Sequence, residues 1–99
     1  MAKYVYPAVF TPEENGMYSV DFPDLEGCYT CGENLADAIL MAEDVLAFTL
    51  CEYETEHSPI PTPSLRSEIT LTGEEFINMI VCDTQGYPNA DDSGNRAKN

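Results

Sequence analysis

The apolar rhythm of the chain changes at Gly32, and that change limits the folds open to it. Before Gly32 apolar residues recur at every second position. Tyr4, Tyr6, Ala8 and Phe10 share one side of a first segment, and Tyr18, Val20 and Phe22 then alternate with Ser19 and Asp21. Period two is the repeat of a strand with one buried face. After Gly32, the residues Leu35, Ile39, Ala42, Leu46, Thr49, Leu50 and Tyr53 recur at spacings of three and four, the repeat of an amphipathic helix. At 99 residues the chain has room for one core. Strands followed by one long helix predict a single α+β domain of order β-β-β-α-β, with the helix packed on the sheet.

Local chemistry sets the boundaries. Pro7 lies inside the first strand, Tyr4 to Phe10, and predicts at least one unpaired position there, at a sheet edge or a bulge. Thr11-Pro12-Glu13-Glu14-Asn15-Gly16 has the composition of a reversing loop, so the second strand, Met17 to Phe22, should run antiparallel to the first. Pro23 to Gly27 makes a further turn, and Cys28 to Cys31 a short third strand closed by Gly32. Asn34 is placed as a helix N-cap, with Asp37 as the capping-box acid. The alternating prolines of His57-Ser58-Pro59-Ile60-Pro61-Thr62-Pro63-Ser64 end the helix near Tyr53 to Glu56 and begin a stiff extended connector. Leu65 to Leu71 alternates weakly, and Phe76 to Cys82 is apolar enough for a buried last strand. This divides the chain into a folded domain over residues 1–84 and a polar, flexible tail over residues 85–99.

Charge narrows function. There are 18 acidic residues against 4 basic ones, a formal net charge of −14. Such a surface attracts cationic proteins and repels nucleic acid. Met1-Ala2-Lys3-Tyr4 lacks the charged start and apolar run of a secretory signal, and no stretch approaches the roughly 18 apolar residues of a membrane span, so a cytoplasmic address is expected. The four cysteines, Cys28, Cys31, Cys51 and Cys82, then read as reduced thiols. Tyr29-Thr30 between Cys28 and Cys31 favours extended chain over the helix N-terminus that a redox pair needs, and three residues apart on a strand the two sulfurs face opposite ways. Neither Cys51, Cys82 nor His57 is spaced to complete a zinc site, and no cofactor is implied.

Taken together, Tyr6-Pro7-Ala8-Val9-Phe10, the run from Tyr18 through Phe22-Pro23-Asp24-Leu25-Glu26-Gly27 to Cys28, Gly32 and Ala36-Asp37-Ala38 resemble the HicB antitoxin family. The connector Pro59 to Ser64 is similar to the segment that comes after the family's helix. The resemblance implies a pared-down ribonuclease H-like sheet carrying one main helix. It also implies a cytoplasmic antitoxin that masks a small basic ribonuclease toxin of the HicA type, which cleaves mRNA. Family members usually continue into a DNA-binding module; Asp83 to Asn99 holds no amphipathic helix and only Arg96 and Lys98 as cations, so direct nucleic-acid binding is not expected.

The acidic turn and its neighbours are the expected toxin-facing residues: Asp21, Asp24, Glu26, Glu33 and, as an aromatic anchor, Tyr29. Asp37, Glu43 and Asp44 on the outer helix face form a second acidic cluster with the same preference. Two alternatives share the composition. One is an acidic scaffold for another cationic protein. The other is a Mg²⁺-dependent nuclease using Asp21, Asp24 and Asp83, which a chain this poor in cations equips badly for a polyanion. His57, in the proline-rich connector, lacks a preorganised partner for general-base work. An exposed edge, at Pro7 or at the last strand, predicts a homodimer or higher oligomer.

Overall fold

The computed structural model describes residues 3–84; the tail expected over residues 85–99 lies outside the described residues. Four antiparallel strands, β1 (Lys3–Pro12), β2 (Tyr18–Asp21), β3 (Tyr29–Gly32) and β4 (Phe76–Asp83), form one sheet in the order β3-β2-β1-β4. Among the described residues one α-helix, α1 (Leu35–Glu56), lies between β3 and β4 in the chain and packs on one face of that sheet. The element order and the helix-on-sheet architecture are those expected. Leu65 to Leu71 forms no strand; a 3₁₀ turn at Arg66–Glu68 lies within it.

The hydrogen-bond phase of the sheet is set by one bond and three registers. Phe22 N–H donates to the Cys28 carbonyl at 3.0 Å, so even-numbered residues of β2 turn their backbone groups toward β3 and odd-numbered ones toward β1. Asp21 and Ser19 stand opposite Val9 and Thr11, which therefore bond to β2. Tyr4, Tyr6, Ala8 and Phe10 are left to bond to β4, opposite Cys82, Ile80, Asn78 and Phe76. Pro7 belongs to the odd set, and the β2 ladder begins only at Val9. Its missing N–H thus falls where no strand is paired, and proline is tolerated without a bulge. β1 is consequently a central strand; of the two places where an edge was expected, Pro7 and the last strand, only the last strand, β4, is one, and β3 is the other edge.

The same alternation builds the core. Tyr6, Ala8, Phe10, Val20 and Ile80 point to the helix side and are buried against Ala38, Ala42, Leu46 and Leu50. Phe10 stacks on Phe76 at 5.6 Å between ring centroids, and Tyr18 meets Phe76 edge-on at 6.1 Å. The helix face differs from its expected stripe at both Ala47, which is buried outside it, and the first turn, where Leu35 is exposed and Ala38 takes the core position. The first turn is set by Gly32. A Cβ built on it would lie 2.4 Å from the Ala38 backbone nitrogen, so the first turn of α1 touches the β3 backbone and only a small side chain fits between.

Both helix ends are capped locally. The Asn34 side chain accepts from Asp37 N–H at 2.8 Å, as expected of an N-cap, while the Asp37 carboxylate reaches Glu33 N–H at 3.0 Å, one residue before the cap. At the other end His57 takes the left-handed conformation (φ 57°), with His57 N–H donating to the Glu54 carbonyl and Ser58 N–H to the Tyr53 carbonyl. That is a Schellman stop. Nearby, Tyr4 Oη donates to Glu54 Oε2 at 2.6 Å and Thr84 Oγ1 to the same oxygen at 3.0 Å, tying the helix end to the sheet. The bond to Glu54, then burial, pushes the Tyr4 hydroxyl up to about 12.

Gly32→Ala is expected to force α1 off β3 and to lower stability by about 1–3 kcal/mol, read as a fall in thermal midpoint. Because the Tyr4 proton is held more tightly in the folded state, its contribution is present below the ordinary tyrosine value and is lost as pH rises toward about 12. Tyr4→Phe should therefore be less stable than the parent at pH 8 and lose less stability across that alkaline window, in urea titrations at each pH.

Candidate protein-binding surface

The sheet has one covered face and one facing outward. Odd residues of β1 and β4 and their neighbours on β2 and β3 look away from α1, and among them Tyr29 is 67% exposed, Val81 60%, Met79 42% and Val5 41%. Aromatic and aliphatic surface of this extent, on a chain of net charge −14, suits a cationic protein with apolar contacts of its own.

Asp21 and Tyr29 are direct register partners on β2 and β3. With Ser19 and Cys31 they line a shallow concavity of about 460 Å³ on the outward face. Desolvation pushes the Asp21 carboxyl up even though the residue as a whole is exposed. A carboxylate so placed gains from a cation brought beside it. Glu26 is exposed in the turn that leads to Tyr29. Glu33 is exposed as well, but beyond the opposite end of β3, about 13 Å from Tyr29 at roughly 3.3 Å per strand residue.

Asp24 has a task inside the fold. One of its carboxylate oxygens accepts from Ser64 N–H at 2.9 Å and the other from Ser64 Oγ. Tyr6 Oη donates to the Pro61 carbonyl, so the connector is fastened to the sheet at two points. No pattern in the sequence couples positions 40 residues apart, so the Asp24 clamp has no local signature.

The carboxylates considered for metal catalysis do not converge. Asp21 stands opposite Val9, Asp83 opposite Lys3 at the far end of β1, and Asp24 is bound to Ser64. Among the described residues no group of three or more His, Cys, Asp or Glu is arranged to hold a metal ion. Cys28 is buried and Cys31 exposed, on opposite sides of the sheet as their spacing predicts, and all four cysteines are free thiols. Burial pushes the Cys82 thiol up to about 11, and burial raises Cys28 too. His57 is spent on the helix stop.

A second acidic surface lies at the other edge. Leu40, Glu43, Asp44 and Ala47 of α1 and Val81, Cys82 and Asp83 of β4 line a groove of about 350 Å³. Glu43 and Asp44 belong to the helix cluster expected from sequence, whereas the apolar exposure of Leu40 (62%) is new. Leu40 falls outside the helix stripe, and that is the signal the sequence offers for it.

Among the described residues the domain is one helix on a four-stranded sheet whose edge strands are β3 and β4. Residues 5–74 match the family model described as HicB_like antitoxin of bacterial toxin-antitoxin system, and the chain belongs to that family. A curated relative, antitoxin HicB 2 of Photorhabdus laumondii, is 36% identical over 63 residues, 64% of this chain and 45% of the relative. The chain thus spans under half the length of the curated relatives it matches. Among solved structures, a chain of a toxin–antitoxin complex from Streptococcus pneumoniae superposes with a TM-score of 0.78 at 23% identity, covering 87% of this chain and 73% of that one. The N-terminal domain of Burkholderia pseudomallei antitoxin HicB gives 0.68 at 17% identity, covering 78% and 95%. These likenesses establish the fold.

Asp24→Ala should release the connector and cost about 2 kcal/mol, since two hydrogen bonds to a charged acceptor are lost. In a double-mutant cycle, Ser64→Ala made on top of Asp24→Ala should cost much less than Ser64→Ala alone, measured by urea unfolding.

Proposed function

We propose that this chain acts as an antitoxin that binds its toxin directly. It neutralises a small basic ribonuclease of the HicA type by covering the toxin's RNA-binding or catalytic surface. Membership of the antitoxin family supports this reading, and the net charge of −14 is the observation of its own that carries it. A polyanionic surface steers a cationic RNA-binding protein into contact and competes with phosphates for the same lysines and arginines. The reading is of a protein that acts by occupancy, without catalysis and without binding nucleic acid itself. It belongs with a cytoplasmic address, and no helix among the described residues is long and apolar enough to cross a membrane.

In this proposal Tyr29 is the aromatic anchor, standing above Asp21 in the concavity, with Glu26 and Glu33 flanking it and Asp24 holding the turn that presents Glu26. An exposed tyrosine brings contact area at low entropic cost, and the desolvated Asp21 gains most from a guanidinium or ammonium partner.

The test is co-purification with the product of the adjacent reading frame, and then RNA cleavage by that product with and without this chain. A bound and silenced ribonuclease is expected, with binding weakened roughly 30-fold by Tyr29→Ala, about 2 kcal/mol, and further at low salt by Glu26→Lys. Absence of a bound ribonuclease refutes the antitoxin reading. Mg²⁺-dependent cleavage by this chain alone would return the function to its carboxylates.

A further inference from the structure

The hydrogen-bond phase of the sheet says what the β4 edge offers. Even residues of β4 bond to β1, so Ile77, Met79 and Val81 turn their N–H and C=O groups outward. Among the described residues no strand pairs with β4 on that side. Edges are ordinarily protected by short length, by proline or by inward charge. This one is part of an eight-residue strand, and Met79 and Val81 on it are exposed aliphatics.

At the C-terminal end of that edge, along Val81, Cys82 and Asp83, lies the groove between α1 and β4. Leu40 and Ala47 supply its apolar floor, and Glu43, Asp44 and Asp83 its charge. The geometry points to strand addition: an extended segment of a cationic protein pairs with β4 along 77–81. Side chains of an added strand alternate between the two sheet faces. Those turned to the helix side would be lysines or arginines, their stems on Leu40 and Ala47 and their heads at Glu43 and Asp44. Those turned to the other side would be small and apolar, against Met79 and Val81. A second copy of this chain would bring another net charge of −14 to the same carboxylates, so charge selects a basic partner over self-pairing. This assignment rests on the reading that the partner is a basic toxin, and it adds a contact on the edge opposite Tyr29.

Pro7 shows how to test it. Proline is tolerated in β1 because its nitrogen faces no paired strand, and Val81 of β4 is in the same situation with respect to β1. Val81→Pro should therefore keep the fold, verified by circular dichroism and thermal midpoint, while removing an outward donor from the edge. Glu43→Lys, exposed on α1, alters the charge without touching the sheet and serves as the second variant. The probe is the co-purified product of the adjacent reading frame, read by amide hydrogen exchange and by affinity at low and moderate salt. The expected result is new protection of the Met79 and Val81 amides in the complex, with those of Ile80 and Cys82 already slow in the unbound chain. Val81→Pro and Glu43→Lys should each weaken binding at least tenfold. A complex that forms with 77–81 unprotected, and that both variants bind as the parent does, overturns the edge assignment and leaves the antitoxin reading standing. Protection of these amides in the isolated chain, with a dimeric mass, gives the edge to a second copy and overturns it too. If no complex forms with the parent chain, the antitoxin reading falls and the docking with it.

Discussion

The backbone contact between Gly32 and Ala38 is what the rest of the molecule depends on. It joins the last residue of β3 to the first turn of α1 at a separation that a single methyl group would violate. Once the helix starts there, its direction across the sheet is set by which faces can be buried, and Ala38, Ala42, Leu46 and Leu50 come down on Tyr6, Phe10 and Val20. Burial of large side chains such as Phe10 and Leu46 contributes about 1.5–3 kcal/mol each. The alanines contribute closeness, because they let the helix lie low on the strands.

With the helix so placed, the two ends of the sheet have different neighbours. At one end of α1 the side chains of Tyr4 and Thr84 share Glu54. Along the flank, Asp24 and Tyr6 hold the proline-rich connector through Ser64 and Pro61. The chain can then return to form β4 next to β1, on the far side of the sheet from β3. Among the described residues one helix covers one face. The other face, and the β4 edge, are left with exposed Tyr29, Val5, Met79 and Val81 among carboxylates, the surface on which the proposed binding is built.

Much of the fold was legible because the period of the apolar residues is a local property. The two early strands, the helix with its Asn34 cap, and the proline-ended connector are each set by neighbours within a few positions. The miss at Leu35 and Ala38 was of another kind. A helical stripe can be drawn through either residue, and only the close approach at Gly32 chooses the smaller one. Pro7 likewise carried correct chemistry and the wrong placement: it demands an unpaired nitrogen, and a central strand can supply one wherever its neighbour's ladder has not yet begun. Of the candidate contact residues, Asp21 and Tyr29 are brought side by side by strand register, Glu26 leads into them, Glu33 lies at the other end of β3, and Asp24 is drawn into the clamp on Ser64.

Composition and local pattern were enough to determine an acidic, single-core α+β chain of four strands and one helix, because charge balance and side-chain periodicity are summed or repeated along the chain itself. Tertiary structure alone decided, between β1 and β4, which is central and which an edge, that Asp24 belongs to the connector, and that Leu40 shares a groove with Glu43 and Asp44. Those facts join residues far apart in sequence, and they arise only when the cost of closing the intervening loops is met by packing one helix against one face of one sheet.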